Sequence, residues 1–321
     1  MKRLRTPACL TIAGSDCSGS AGIQADLKVM QIHGVYGMSV LTALTSQNSR
    51  GIDGIYSVHP VLIERQLDAC LSDINCDTVK IGMLPDFKSV VRIAECLQRH
   101  RMKNIVMDSV VISSSGQIMC EGTAISATIK YLFPYVLVYS SNIMEAYVLV
   151  QRVLGHCPFS LRTLEDIKNL LRIIHKAGPR FIVLNGHHVA YNDNFEIISS
   201  PTTDSFTVDL IFDGDNFYVF QKPYDLRYSK TVHGTSCSMT AAIASNIALG
   251  KRPLEAIQEA RQSIERASLS IQEEFSSISR SAQLFRRIKP SSSNHTVTLC
   301  LQSSATADNA RPPAFLSKTR T

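Results

Sequence analysis

The chain has 321 residues, 45% of them hydrophobic and 19% charged, which suits one large α/β domain or two small ones with a sizeable core. Its nine cysteines form no Cys-x-x-Cys pairs and no histidine-spaced sets, which argues against a disulfide framework and a zinc site. The net charge of +6 sits at the ends: residues 286–321 carry +5 and Lys2, Arg3 and Arg5 carry +3, leaving −2 for the body. Neither nucleic acid nor a membrane surface is therefore an expected partner. With no apolar run of about 18 residues and a basic N-terminus that reaches a polar loop too soon for a signal peptide, the expected location is cytoplasmic.

In chain order, five apolar runs end in polar residues or glycine, as buried parallel strands do. They are "ACLTIAG" (8–14), "TVKIGML" (78–84), "NIVMDSVV" (104–111), "YVLVYSS" (135–141) and "RFIVLNG" (180–186). Helical patterns alternate with them: "AGIQADLKVMQIHG", "VLIERQLDACLSD", "DFKSVVRIAECLQRHR" and "LEDIKNLLRIIHKAG". This order predicts an α/β fold, a doubly wound and mostly parallel sheet with helices on both faces. Ligands of such sheets bind beyond the carboxyl ends of the strands. "FTVDLIFDGDNFYVFQ" (206–221) reads as a hairpin around Asp213-Gly-Asp-Asn, and final helices are expected over roughly 234–250 and 253–277. Residues 1–7 read as an N-terminal extension, 8–288 as one domain and 289–321, which are polar and aperiodic, as a disordered tail.

Three strand ends carry candidate chemistry. "AGSDCSGSAGIQADLK" (13–28) combines glycines with a following helix, without the spacing of G-x-G-x-x-G or of a Walker A motif. Asp108 and Glu145 stand at two strand ends, where carboxylates can hold Mg2+ beside phosphates. Asn142 and Glu145 also read as an N-cap and a first-turn glutamate. "HGTSCSMTAAIASNIALG" (233–250) runs from small residues into an alanine-rich helix, so unpaired N–H groups and the helix dipole favour an anion and a thiolate at Cys237. An ordinary N-cap beside a buried cysteine fits the same stretch. His187 and His188 read as loop residues, and Lys80 as a structural lysine satisfying strand-end carbonyls.

Taken together and in this order, these segments resemble the hydroxymethylpyrimidine/phosphomethylpyrimidine kinases of thiamine biosynthesis, fungal members included, within the ribokinase-like superfamily. The resemblance covers about residues 8–270 and rests on residues 10–51, "KIGML" (80–84), "MDSVVISSSG" (107–116), "NIMEA" (142–146) and 233–250. It implies ATP- and Mg2+-dependent phosphorylation of 4-amino-5-hydroxymethyl-2-methylpyrimidine and then of its monophosphate. It points to Gly14, Asp26, Gln47 and Met83 for the aminopyrimidine, with Val110 over the ring. It points to Asp108 and Glu145 for the metal, to Asn142 and Thr235 for the nucleotide, to Gly234, Thr235 and Ser236 as an anion hole, and to Cys237 as catalytic base. It leaves room for a homodimer.

Several positions depart from the family's pattern: Ser20 and Ser236 stand where it has glycine, and Asn185 where it has a lysine near the ATP phosphates. A positive φ at Ser236 would carry strain of about 1 kcal/mol or more, whereas a helical φ would make the change harmless. These departures leave two alternatives open: a catalytically impaired pyrimidine-binding paralogue, and a pyridoxal or pyridoxine kinase.

Overall fold

The computed structural model describes residues 5–48, 51–111, 118–186, 189–224, 234–269 and 288. The five expected strands form as β1 (Ala8–Asp16), β4 (Thr78–Ile81), β5 (Ile105–Asp108), β6 (Val136–Asn142) and β7 (Phe181–Asn185). With β2 (Tyr36–Asn48) they make the parallel body of the sheet, in the order β2-β1-β4-β5-β6-β7. An antiparallel strand, β3 (Gly51–Ser57), covers β2. At the other side β10 (Phe206–Phe212) pairs antiparallel with β7 and forms the expected hairpin with β11 (Phe217–Pro223). The short pair β8 (Ala190–Tyr191) and β9 (Ile197–Ile198) extends that side.

Period-two alternation sorts each strand between two apolar layers. Ile105 and Met107 of β5 face one layer and Val106 the other. The first layer is closed by α2 (Pro60–Asp73), α3 (Phe87–Arg99), α4 (Gly122–Ala127), α5 (Ile143–Leu154) and α6 (Leu164–Lys176). The second is closed by α1 (Gly22–Ile32), α7 (Thr235–Ala248) and α8 (Pro253–Leu269). Helices thus cover both faces, as the alternating pattern predicts. The sequence pattern had extended the last helix to about 277, and positions after 269 lie outside the described residues, as do the tail and the two histidines 187 and 188.

In α7 every residue from Ser238 to Ala248 is buried. A helix hidden on all sides needs small side chains so that neighbouring backbones can approach, and alanine and serine supply them while keeping helix propensity. This fixes where α7 begins, which is at the carboxyl end of the sheet. Among the described residues, no helix is long and apolar enough to cross a membrane.

Candidate active site

The two helices that start beside β1 and β5 meet at their N-termini. Gly234 is the N-cap of α7 with φ 90°, and a Cβ there would lie 1.7 Å from the Ser20 carbonyl oxygen. Gly22 opens α1 with φ 57°, and a Cβ there would lie 2.3 Å from the Gly14 carbonyl oxygen. Only glycine allows this approach. The Gly22 N–H donates to the Cys237 sulfur, so the first turns of α1 and α7 converge on one thiol.

Asp16 builds the loop between β1 and α1. Its buried carboxylate accepts from the N–H groups of Ser18, Ser20 and Ala21 at 2.8, 3.1 and 2.7 Å. Sequence reasoning passed over this aspartate, although an Asp before Ser and Gly residues is a turn signal. Ser20 is buried with its N–H bonded and its φ outside the left-handed region, so serine is accommodated where the family has glycine. Lys28 is exposed and closes the same loop by donating to the Gly19 carbonyl at 2.6 Å.

Gly14, Met83 and Val110 are brought together. The Met83 sulfur stands 3.2 Å from where a Gly14 Cβ would be, and Met83 packs with Ala43, Met119, Val110, Ile52 and Ile55 in a small apolar cluster apart from the two main layers. The Thr42 hydroxyl fixes Met83 by donating to its carbonyl at 2.6 Å. Gln47 lies near the end of β2, half-buried and paired in register with Ile52 of that cluster. Met119, Ile52 and Ile55 come from segments that carry no ligand motif, and no sequence signal marks them.

Asp26 does not join this group. Its carboxylate has no exposed surface and accepts from the Thr11 hydroxyl at 2.5 Å and from the Lys80 ammonium at 2.9 Å. The buried pair lies between α1 and the sheet, so Asp26 cannot touch a pyrimidine in this structure. Lys80 correspondingly pairs with a carboxylate rather than with strand-end carbonyls.

Asp108 ends β5 on the α7 side with 1% exposure. Its Oδ1 accepts from the Ser236 hydroxyl at 2.7 Å, while its buried Oδ2 has no hydrogen-bond partner. Burial pushes this carboxyl above the usual range, against the opposing pull of Lys80 and the Ser236 hydrogen bond. Ser236 lies within α7 and has no positive φ, which removes the expected strain. Asn142 and Glu145 form a reciprocal capping box at the start of α5: the Glu145 N–H donates to Asn142 Oδ1 at 2.9 Å, and the Asn142 N–H to Glu145 Oε2 at 3.0 Å. Asn185 pairs in register with Asn142, and its amide donates to the Ser140 hydroxyl at 3.2 Å.

The thiol of Cys237 departs from expectation. Burial pushes it up to about 12; Lys80 and the Gly22 N–H pull it down, and Asp108 and Asp26 push it further up. The converging helix ends do not outweigh desolvation beside two carboxylates.

Two helix N-termini converging at the carboxyl end of the sheet, beside a buried strand-end carboxylate and a helix-borne thiol, fit a phosphotransferase of ribokinase-like α/β fold. The chain belongs to the phosphomethylpyrimidine kinase family, whose model matches residues 16–277. It is 58% identical over 286 residues to a putative hydroxymethylpyrimidine/phosphomethylpyrimidine kinase of Schizosaccharomyces pombe, covering 89% of this chain and 87% of that one. Of several further curated relatives it spans a little under half the length. Among solved structures, phosphomethylpyrimidine kinase from Clostridium difficile is similar with TM-score 0.66 and 32% identity, over 81% of this chain and 98% of that one. Pyridoxal kinase from Staphylococcus aureus in complex with AMP-PCP and pyridoxal is similar with TM-score 0.67 and 29% identity, over 84% and 91%.

Proposed function

We propose that this chain transfers the γ-phosphoryl group of ATP to the hydroxymethyl oxygen of 4-amino-5-hydroxymethyl-2-methylpyrimidine and then to the phosphate of the product. The observation that carries the reading is the convergence of the α1 and α7 N-termini on Cys237 beside the Gly14–Met83–Val110 cluster. The apolar cluster takes the faces of a flat ring, and the Gln47 amide can donate to and accept from its aminopyrimidine edge in one plane. The hydroxymethyl arm then points at Cys237, which takes its proton. The N–H groups at Gly234, Thr235 and Ser236, in the first turn of α7, would hold the transferring phosphoryl oxygens. Phosphoryl transfer passes through a loose transition state, so positioning and charge neutralisation do most of the work and the proton is needed late. A weakly acidic thiol is compatible with that order of events.

Asn142 and Thr235 are the residues we assign to the nucleotide. Mg2+ would be held near Asp108 and Glu145, where it would neutralise phosphate charge. The unpartnered, buried Asp108 Oδ2 fits a cation or a cation-bound water. The helical backbone of Ser236 weakens the case for an impaired paralogue, since the strain that favoured it is absent. A coupled ADP-release assay with the hydroxymethylpyrimidine, its monophosphate and pyridoxine tests the reading. Turnover with the first two supports it; turnover with pyridoxine alone would transfer the chain to the vitamin B6 kinases, and binding without ADP release would restore the impaired paralogue.

A further inference from the structure

The carboxyl end of β2 leaves regular register with both of its neighbours. Against β1, Ala13 pairs with Leu41 but Ser15 with Leu44, so β2 carries an extra residue. Against β3, Ser46 pairs with Gly54 but Gln47 with Ile52, so Asp53 is the extra residue there. Bulges of this kind re-aim the side chains beyond them. Ile52 and Ile55 stand three residues apart and would face opposite sides of an unbroken strand, yet both pack on the Met83 cluster. The bulge thus turns Ile52 toward the cluster, and with it Gln47, its partner in register. On β2 itself Ala43 and Thr45 are buried while Leu44 and Ser46 are exposed, and Gln47 continues the inward alternation.

The β1–β2 pairing stops at Asp16, opposite Thr45, so Gln47 lies past its last β1 partner. The side chain that reaches it is Cys17, the first residue after β1, whose S–H donates to the Gln47 carbonyl with sulfur and oxygen 3.2 Å apart. One step back, the Thr45 hydroxyl donates to the Ser15 carbonyl at 2.8 Å. The backbone around Cys17 is itself anchored: the Asp16 N–H donates to Gln24 Oε1 of α1 at 2.9 Å, and the Ser18 N–H to Asp16 Oδ1 at 2.8 Å. We propose that Cys17 is a positioning residue for the pyrimidine: by holding the Gln47 carbonyl it fixes the strand end beyond the bulge, and so the direction of the Gln47 amide. The proposal rests on the assignment of Gln47 to the ring edge. A one-residue slip of a strand moves its side chains to the other face, which here would turn the amide out beside Leu44 and Ser46. A thiol is a weak donor, but it is placed where the ladder ends and the register has already shifted. Cys17 is exposed, so replacing it leaves the core intact.

The test uses the full chain and two readouts. Calorimetric titration with 4-amino-5-hydroxymethyl-2-methylpyrimidine reports affinity whether or not the chain turns over, and ADP release reports kcat and KM. Cys17→Ala should weaken pyrimidine binding and raise its KM by about three- to tenfold, the range of one hydrogen bond, with kcat and the KM for ATP little changed. Cys17→Ser keeps a donor on the same stem and should recover most of the loss. In a Gln47→Leu background Cys17→Ala should weaken binding no further, because the amide that it positions is gone. The melting temperature should stay at the wild-type value in Cys17→Ala, which separates positioning from a loss of stability. A folded Cys17→Ala with wild-type affinity, beside a weakened Gln47→Leu, would overturn the proposal alone, as would an equal effect of Cys17→Ala in both backgrounds. Wild-type affinity in Gln47→Leu would overturn the Gln47 assignment and the proposal with it.

Discussion

The Ser236 hydroxyl donates a 2.7 Å hydrogen bond to Asp108 Oδ1 and so ties the first turn of α7 to the end of β5. The serine that replaces the family's glycine is thus a donor to a buried carboxylate, not a strained residue in the first turn of α7. Ser236→Ala should lower stability by about 1–3 kcal/mol, because it removes a donor from the buried Asp108 carboxylate. Urea unfolding checks this, and an unchanged midpoint would show that Asp108 does not depend on the bond.

Gly234 meets the Ser20 carbonyl at a distance no Cβ can share, and its φ is 90°. Gly234→Ala should cost about 1–3 kcal/mol from backbone conformation alone and displace the loop that carries Ser20. The expected result is a lower melting temperature together with loss of ADP release. A variant with full stability would show that the two loops can separate.

Gln47 is half-buried on β2 next to the Met83 cluster. A ring edge that loses its partner amide forfeits about 1–3 kcal/mol, so Gln47→Leu should weaken pyrimidine binding by one to two orders of magnitude without unfolding the chain. Calorimetric titration measures it directly. Equal affinity in the folded variant would remove Gln47 from the site.

Cys237 is held protonated up to about pH 12 in the resting site. Below that value the thiolate fraction rises about tenfold per pH unit, so if the thiolate is the base, kcat should climb with pH across 6–9 with a slope near one in logarithmic terms. Cys237→Ala should lower kcat by roughly 10²- to 10⁴-fold and flatten that slope. A steep profile that survives the substitution would place the titrating group elsewhere.

The same burial has a consequence for stability. Cys76 and Cys120 are pushed up to about 11, and Cys237 to about 12, while an unfolded thiol ionises near 8.5. Between those values the folded chain binds more protons than the unfolded one, so stability falls as pH rises through about 9–11, by up to roughly 1.4 kcal/mol per pH unit for each thiol. Buried Lys80, whose ammonium Asp26 holds charged, acts in the same direction above the ordinary lysine range. Calorimetry should therefore show a melting temperature that declines steadily above pH 9. A flat curve would mean that these thiols are solvated.

The local chemistry of the elements was legible in the sequence. Continuous apolar runs specified β1, β4, β5, β6 and β7, because a strand buried on both faces needs apolar residues at every position. The Asp213-Gly-Asp-Asn turn marked the β10–β11 hairpin for a similarly local reason. β2 and β3 escaped: β2 buries Met38, Val40 and Thr42 on one face while Leu44 and Tyr56, where it pairs with β3, are exposed, so neither strand reads as a continuous apolar run. Gly14, Met83 and Val110 are proposed through the resemblance and Cys237 through its helix start as well, and their chain positions lie at strand ends and a helix start, where ligands of this architecture bind.

Which partner each ionisable group takes was decided only by the tertiary structure. Asp26 lies on the buried face of α1 with Ile23 and Met30, and its sequence neighbours do not distinguish a ligand from half of a buried pair. Packing α1 against β1 and β4 brings Thr11 and Lys80 to it across 15 and 54 residues of chain. The thiol of Cys237 was set in the same way. A helix N-terminus read from sequence favours the thiolate, but desolvation and the fields of Asp108 and Asp26 act through space, from strands and helices that only the fold brings together.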